Sequence, residues 1–198
     1  MKQKWKGGTL LAPIPAVMVS CGTIEKPNII TVAWTGILNT NPPKTYISVR
    51  PERFSYPLIK ESGKFTINLT PAGLVRSADF CGVRSGRDLD KFKECKLTAV
   101  PGLEFPDTPM IAECPVSLEC SVCEIVPLGT HDMFIADIVS VAVDDSVINE
   151  AGALKIEKAD LAAYAHGQYF ALGKKLGSFG FSVKKKSRKP NRPSDKKN

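Results

Sequence analysis

The sequence predicts a mainly β, barrel-like domain with a few short helices. Three features predict it. Six or seven short runs rich in β-branched residues are punctuated by Gly, Pro and Asn. Two long runs in the second half read as one antiparallel hairpin, and strands do not alternate with helices as a βαβ fold requires.

In chain order, residues 17–21 and 28–34 are the first strands, joined by a hairpin connection through Gly22, Thr23, Lys26 and Pro27. The break Asn39-Thr40-Asn41-Pro42-Pro43 precedes a third strand over 45–50. Residues 55–62 suit a short helix, with Ser55 as its N-cap, Pro57 in the first turn and Gly63 past the end. Phe65, Ile67 and Leu69 alternate with Thr66 and Asn68 as in a half-buried strand. A second short helix is expected over 74–80, then a polar loop over 81–91. Residues 115–126 and 131–143 form the long hairpin, connected by Pro127-Leu128-Gly129-Thr130. The second of these is apolar on both faces and interrupted only by Asp137, which predicts burial on both sides. Residues 158–172 read as helix-like or irregular, before Gly173, Gly177 and Gly180.

The chain has 198 residues, 43% of them apolar and 24% charged, enough for one domain with a sizeable core and too apolar for global disorder. No apolar run reaches the ~18 residues of a membrane span, and Met1 to Gly8 is basic with no leader-like apolar stretch behind it, so a cytoplasmic location is expected. Six cysteines are too sparse for a disulfide scaffold. The net charge of +7 is local: residues 184–198 carry eight of the 27 basic residues and one acid, Asp195, which leaves residues 1–183 balanced. The division expected is a folded domain over 1–183 and a disordered basic tail over 184–198. The tail is read as a solvated solubility segment, with nucleic acid or an anionic surface as its alternative partner.

Cys114, Cys120 and Cys123 have C-x5-C-x2-C spacing, but the C-x2-C pair falls inside a strand. There its side chains point apart, so these are read as structural rather than as a metal site. His131 and His166 are the only histidines, and no H-E-x-x-H, G-x-S-x-G, P-loop or G-x-G-x-x-G is present. What remains is a set of polar groups beside the strands. Ser48 and Arg50 share a strand face opposite Ile47 and Val49, and Ser55 stands at a helix start that can bind phosphate. Ser85-Gly86-Arg87-Asp88-Leu89-Asp90-Lys91 brings a glycine, a hydroxyl and two cations together as an anion clamp. The alternatives are an ordinary helix cap and a solvated, ion-paired loop.

In their order along the chain, several stretches resemble the flavin reductase-like, flavoredoxin-type family of FMN-binding split barrels. They are Pro13-Ile14-Pro15, Val17-Met18-Val19-Ser20, Pro27-Asn28-Ile29-Ile30-Thr31-Val32-Ala33-Trp34 and Ser48-Val49-Arg50-Pro51 with Ser55-Tyr56. They continue through Cys81-Gly82, Ser85-Gly86-Arg87-Asp88-Leu89-Asp90-Lys91-Phe92, Gly129-Thr130-His131-Asp132 and Tyr169-Phe170-Ala171-Leu172-Gly173. The resemblance covers about residues 9 to 183. It implies an antiparallel Greek-key split barrel holding one non-covalent FMN per subunit at a homodimer interface. Asn28, Thr31, Ala33 and Trp34 would meet the ring or ribityl chain, with Ser48, Val49 and Arg50 nearby. Ser55 and Lys91, helped by Ser85 and Arg87, would hold the phosphate. His131 would approach the ring, and Phe170 or Tyr169 would cover it from either subunit. Ile135-Ala136-Asp137-Ile138 departs from the family, where a Gly followed by Glu is common.

The function implied is an FMN-dependent oxidoreductase passing electrons from NADH, NADPH or a redox protein to an acceptor, the hard chemistry being the flavin's. Its alternatives are an FMN electron carrier without nicotinamide activity, and a split-barrel binding protein that lacks FMN and recruits nucleic acid through its tail.

Overall fold

The computed structural model describes residues 1–184. Apart from Lys184, the expected disordered tail lies outside the described residues. The strands are β1 (Ile14–Pro15), β2 (Val17–Gly22), β3 (Pro27–Val32), β4 (Thr35–Thr40), β5 (Pro43–Val49) and β6 (Lys64–Leu69). They continue with β7 (Ala99–Pro101), β8 (Pro109–Ile111), β9 (Val116–Pro127), β10 (Asp132–Val143), β11 (Ala162–Ala165) and β12 (Gln168–Ala171). The helices are α1 (Ser55–Ser62), α2 (Val75–Val83) and α3 (Lys91–Cys95).

Seven strands form one antiparallel sheet in the order β3-β2-β6-β9-β10-β5-β4. Its two edge strands are consecutive in the chain, and the Ser48 N–H donates to Trp34 O at 2.9 Å across the join. The two ends of the sheet therefore meet at this join, and the sheet curves into a mainly β barrel. Inward-facing Val17, Val19, Cys21, Ile47, Val49, Phe65, Ile67, Cys120, Phe134 and Ala136 fill it, and Ile59 of α1 packs into the same cluster. A second cluster forms outside β2 and β3, where Met18 and Ile29 meet Ala78 and Cys81 of α2 and Phe92 of α3. β2 is thus buried on both faces, and so is β6, whose Thr66 and Asn68 are buried along with Phe65 and Ile67 and do not make the solvent face that its alternation predicts.

Several expectations shift. The segment 28–34 is not one strand, because the chain turns at Ala33 and Trp34 and continues as β4. Gly36 hides that strand from a propensity reading, and its bare Cα lets the Tyr46 ring pack closely, an added Cβ lying 3.3 Å from that ring. β10 is half-open on its outer face, with Val139 43% and Val141 51% exposed. Two bulges against β9 account for its mixed pattern, with Cys123 and Val139 as the unpaired residues. Asp137 meets Lys44 of β5 at 2.5 Å. The segment read as helix-like is mostly the hairpin β11–β12, which joins β1 in a three-stranded sheet. Its turn, His166-Gly167, has positive φ at both residues, the twist that two-residue hairpins prefer. The three-alanine composition of β11 carries no strand signal, and its pairing decides the matter.

The cysteines of the C-x5-C-x2-C run have separate surroundings. Cys120 is inside the barrel, Cys123 is exposed, and Cys114 belongs to the outer cluster. Among the described residues no group of His, Cys, Asp and Glu has the geometry to hold a metal, and no helix is long and apolar enough to cross a membrane.

Candidate functional site

Two recesses lie side by side against β3 and β5 and share Ile30, Arg50 and Arg53. The larger, about 400 Å³, is an aromatic and apolar slot. Thr31 comes to it from β3, Ala33 and Trp34 from the β3–β4 turn, and Ser48, Val49 and Arg50 from the end of β5. His131 enters from the β9–β10 connection. Its ring lies parallel to Trp34, at 2° with centroids 6.3 Å apart. Burial, then the nearby Arg50 guanidinium, holds the His131 imidazole below its ordinary pKa, so it is mostly neutral at pH 7. Behind it, the Tyr56 hydroxyl donates to Asp132 at 2.5 Å. The β11–β12 hairpin supplies the opposite wall through Tyr164 and Tyr169, edge to face at 5.5 Å. The Tyr169 hydroxyl donates to Asp79 of α2 at 3.2 Å; burial first, and then this carboxylate, pushes the phenol up to about 12.

The smaller recess, about 270 Å³, is walled by Ser55, Ser85, Gly86, Arg87 and Lys91 with Arg50, Arg53 and Arg84. Five cations face one carboxylate, Glu52, which pairs with Arg50 at 3.5 Å in an exposed and therefore weak contact. A concave wall of one sign focuses the field on an incoming anion. Lys91 is the unusual member. It is 4% exposed, and its ammonium donates to Ile29 O at 2.7 Å and Cys81 O at 2.8 Å. No carboxylate pairs with it among the described residues. One of its three N–H donors is left over. Burial holds its pKa below the ordinary lysine value.

The cradle is built from the loop between α2 and α3, where Gly86 crosses directly over Asn28. A Cβ there would overlap the Asn28 amide and lie 2.7 Å from Phe54, so only glycine fits this crossing. Asn28 itself lines neither recess. Its buried amide donates to Ser55 Oγ at 2.7 Å and so orients that hydroxyl. Ser55 is the first helical residue rather than the cap, since Phe54 occupies the cap position with no side-chain bond. Thr31 also works partly in support, its hydroxyl donating to Ala78 O of α2 at 2.5 Å.

Of the residues singled out from the sequence, all but Asn28 and Phe170 line one of the two recesses. Phe170 is 49% exposed, and strand alternation turns it away from the face that its neighbour Tyr169 shares with Tyr164. Sequence reading missed Arg53, Asp79, Arg84 and Tyr164. The Arg50-Pro51-Glu52-Arg53 turn was a usable signal for the first, whereas Asp79 and Tyr164 become neighbours only through tertiary contact.

The match to known proteins follows the same elements. The model of the flavin reductase-like domain family matches residues 11–173, and the chain belongs to that family. The fold is similar to the flavoredoxin of Desulfovibrio vulgaris (Miyazaki F), with a TM-score of 0.85 and 33% identity over 93% of this chain and 100% of that one. A flavoredoxin from Methanosarcina acetivorans aligns with a TM-score of 0.82 and 26% identity, again over 93% and 100% of the two chains. An uncharacterised protein of Archaeoglobus fulgidus is 30% identical over 136 residues, 69% of this chain and 76% of its own. The fold is thus the flavin reductase-like split barrel.

Proposed function

We propose that the protein is an FMN-dependent oxidoreductase of the flavin reductase or flavoredoxin type. The observation that carries this reading is Lys91, a buried ammonium with no carboxylate partner, in a cation-walled recess continuous with an aromatic slot. Burying an uncompensated charge costs several kcal/mol, and a phosphate dianion in the smaller recess offsets that cost. The residues therefore fit the phosphate end of FMN. Lys91, Arg87, Ser85 and Ser55 would hold it, with Asn28 keeping Ser55 in position.

Ala33, Trp34, Ser48, Val49, Arg50 and His131 would hold the ring end in the larger slot, with Tyr164 and Tyr169 closing the other side. FMN, when bound, supplies reversible acceptance of a hydride or of single electrons. The side chains orient it and exclude water. His131, mostly neutral at pH 7, offers one donor and one acceptor, and Tyr169 stays a protonated donor toward Asp79. The cation excess beyond what one phosphate dianion neutralises favours an anionic donor such as NADH or NADPH over a neutral one.

Purified protein is expected to be yellow and to release one FMN per chain on denaturation. Anaerobic NADH or NADPH should then bleach it. A colourless protein that does not take up added FMN would overturn the reading, and a yellow protein that nicotinamides leave unbleached would make it a carrier served by a redox protein.

Affinity for FMN should depend on pH in a definite sense. It rises through about pH 6 as the phosphate takes its second charge. It falls again below the ordinary lysine pKa of 10.5, because free Lys91 loses its proton early and the phosphate must restore it. Fluorescence titrations across this range check both limbs, and an affinity flat through the alkaline range would count against Lys91 as the phosphate ligand.

A homodimer is part of the proposal. Trp34, Ile37 and Leu38, close in sequence along the β3–β4 segment, leave apolar side chains exposed, and a second copy would cover them. Sedimentation is expected to give twice the chain mass, and a monomer at micromolar concentration would remove the dimer from the reading.

A further inference from the structure

We propose that Cys81 and Cys95 are a redox-active dithiol that a peroxide closes into a reversible disulfide, and that closure fastens the loop bearing the smaller recess. The second half rests on that recess being the phosphate site.

Cys81 Sγ and Cys95 Sγ are 3.8 Å apart, the only sulfur–sulfur contact among the described residues. None of the other four sulfurs touches another, although Cys114 belongs to the same outer cluster as Cys81 and Cys95. Cys21 and Cys120 are buried in the barrel core, and Cys123 is exposed with its sulfur against Ile135 O and Lys44. A disulfide needs about 2.05 Å between sulfurs, so closure asks for a shift of under ~2 Å. Side-chain rotation at the end of the short helix α3 supplies this.

The placement gives the pair its consequence. Cys81 lies on α2 and lines the smaller recess, and Cys95 ends α3. Between them run Arg84, Ser85, Gly86, Arg87 and Lys91, all lining that recess. Lys91 already ties the two helices by donating to Cys81 O at 2.8 Å. A bond between residues 81 and 95 would close this segment into a ring and cut the freedom by which it opens.

The two thiols differ in access. Cys95 is half-buried and meets solvent first, whereas burial pushes Cys81 up to about 12 and protects it from direct attack. In the first step the Cys95 thiolate attacks one peroxide oxygen. The O–O bond breaks, and the departing hydroxide takes a proton to become water, leaving a sulfenic acid on Cys95. Cys81 sulfur then displaces the hydroxyl from Cys95 sulfur. The S–S bond forms, the S–O bond breaks, and the second hydroxide leaves as water with the Cys81 proton. Two thiols lose two electrons and one peroxide becomes two waters.

The test uses the full chain loaded with FMN and treated with a modest excess of hydrogen peroxide. Mass spectrometry is expected to show the loss of two hydrogens and a peptide linking 81 to 95, both reversed by dithiothreitol. Cys95→Ser should abolish the link and Cys123→Ser should keep it. Release of FMN on dilution should slow by roughly threefold or more after oxidation in the wild type and in Cys123→Ser, and not in Cys95→Ser. Absence of the linked peptide, or a link through Cys123 instead, overturns the dithiol. A link that leaves release unchanged overturns the fastening. Should the chain bind no FMN at all, the reading of the recess fails while the linked peptide still decides the dithiol.

Discussion

Lys91→Met is expected to lower FMN affinity by at least about 100-fold while leaving the weaker affinity for riboflavin within a factor of about two. Methionine keeps the length and burial of the side chain and removes its charge together with its two hydrogen bonds to Ile29 O and Cys81 O. Riboflavin carries the same ring without the phosphate, so the pair of ligands separates a lost charge contact from a damaged pocket. Lys26→Ala, at an exposed position in the first hairpin turn, serves as the control and should change neither. The magnitude follows from the setting. An exposed ion pair contributes about 0–1 kcal/mol, whereas a desolvated charge left without its partner costs 2–5 kcal/mol, and tenfold in affinity is about 1.4 kcal/mol. Lys91 is in the second class, buried to 4% exposure beside Cys81 and Ile29. Equal losses for FMN and riboflavin would mean that Lys91 shapes the fold of the α2–α3 loop and does not meet the phosphate.

The largest loss of stability is expected from Glu119→Ala. This carboxylate is fully buried on β9, and no cation pairs with it among the described residues. It accepts instead from the backbone N–H groups of Leu103, Glu104 and Phe105 at 2.9–3.2 Å, pinning the segment after β7 to the barrel. Gly102 permits that approach, since a Cβ there would lie 2.6 Å from Phe105 O and overlap the carboxylate. Alanine would strand three donors, a loss of roughly 3–5 kcal/mol after partial relaxation. For a chain of this size that is a fall in Tm on the order of 10 °C. Thermal unfolding followed by circular dichroism measures it. Glu119→Gln keeps one acceptor oxygen and should lose about half as much; a Glu119→Ala protein that melts with the wild type would show that the loop does not depend on this contact.

Much of the barrel was legible because its signals are local. The hairpin β2–β3 is marked by Gly22, whose φ of +87° and close approach to Lys26 O admit only glycine. β9 and β10 are long runs of β-formers around a turn, and the apolar–polar alternation of β6 marks it as a strand although both of its faces are buried. β4 and the β11–β12 hairpin were not legible. Their residues, Thr-Gly-Ile-Leu-Asn-Thr and Ala-Ala-Tyr-Ala, have no strand preference strong enough to stand alone, and their partners β5 and β1 are what make them strands. The helix α3 carries no signal of its own for a similar reason. At five residues it is too short to be stable by propensity, and it is held by Phe92 in the outer cluster and by the Asp90 side chain accepting from Lys93 N.

The same division runs through the candidate site. By itself the sequence determined the family, the closed antiparallel architecture and the chemistry-bearing types: hydroxyls at 55 and 85, cations at 50, 87 and 91, rings at 34 and 131. These are fixed by which residues occur in which order, and order survives without coordinates. Only the tertiary structure decided that the cations converge on one recess, that Asn28 works through Ser55, and that Tyr169 rather than Phe170 faces the slot. It also decided that Cys81 and Cys95, 14 residues apart in the chain, bring their sulfurs within 3.8 Å. The physical reason is that burial and charge pairing belong to positions in space. A lysine becomes an uncompensated buried cation only when two strands and two helices close around it and bring no carboxylate with them.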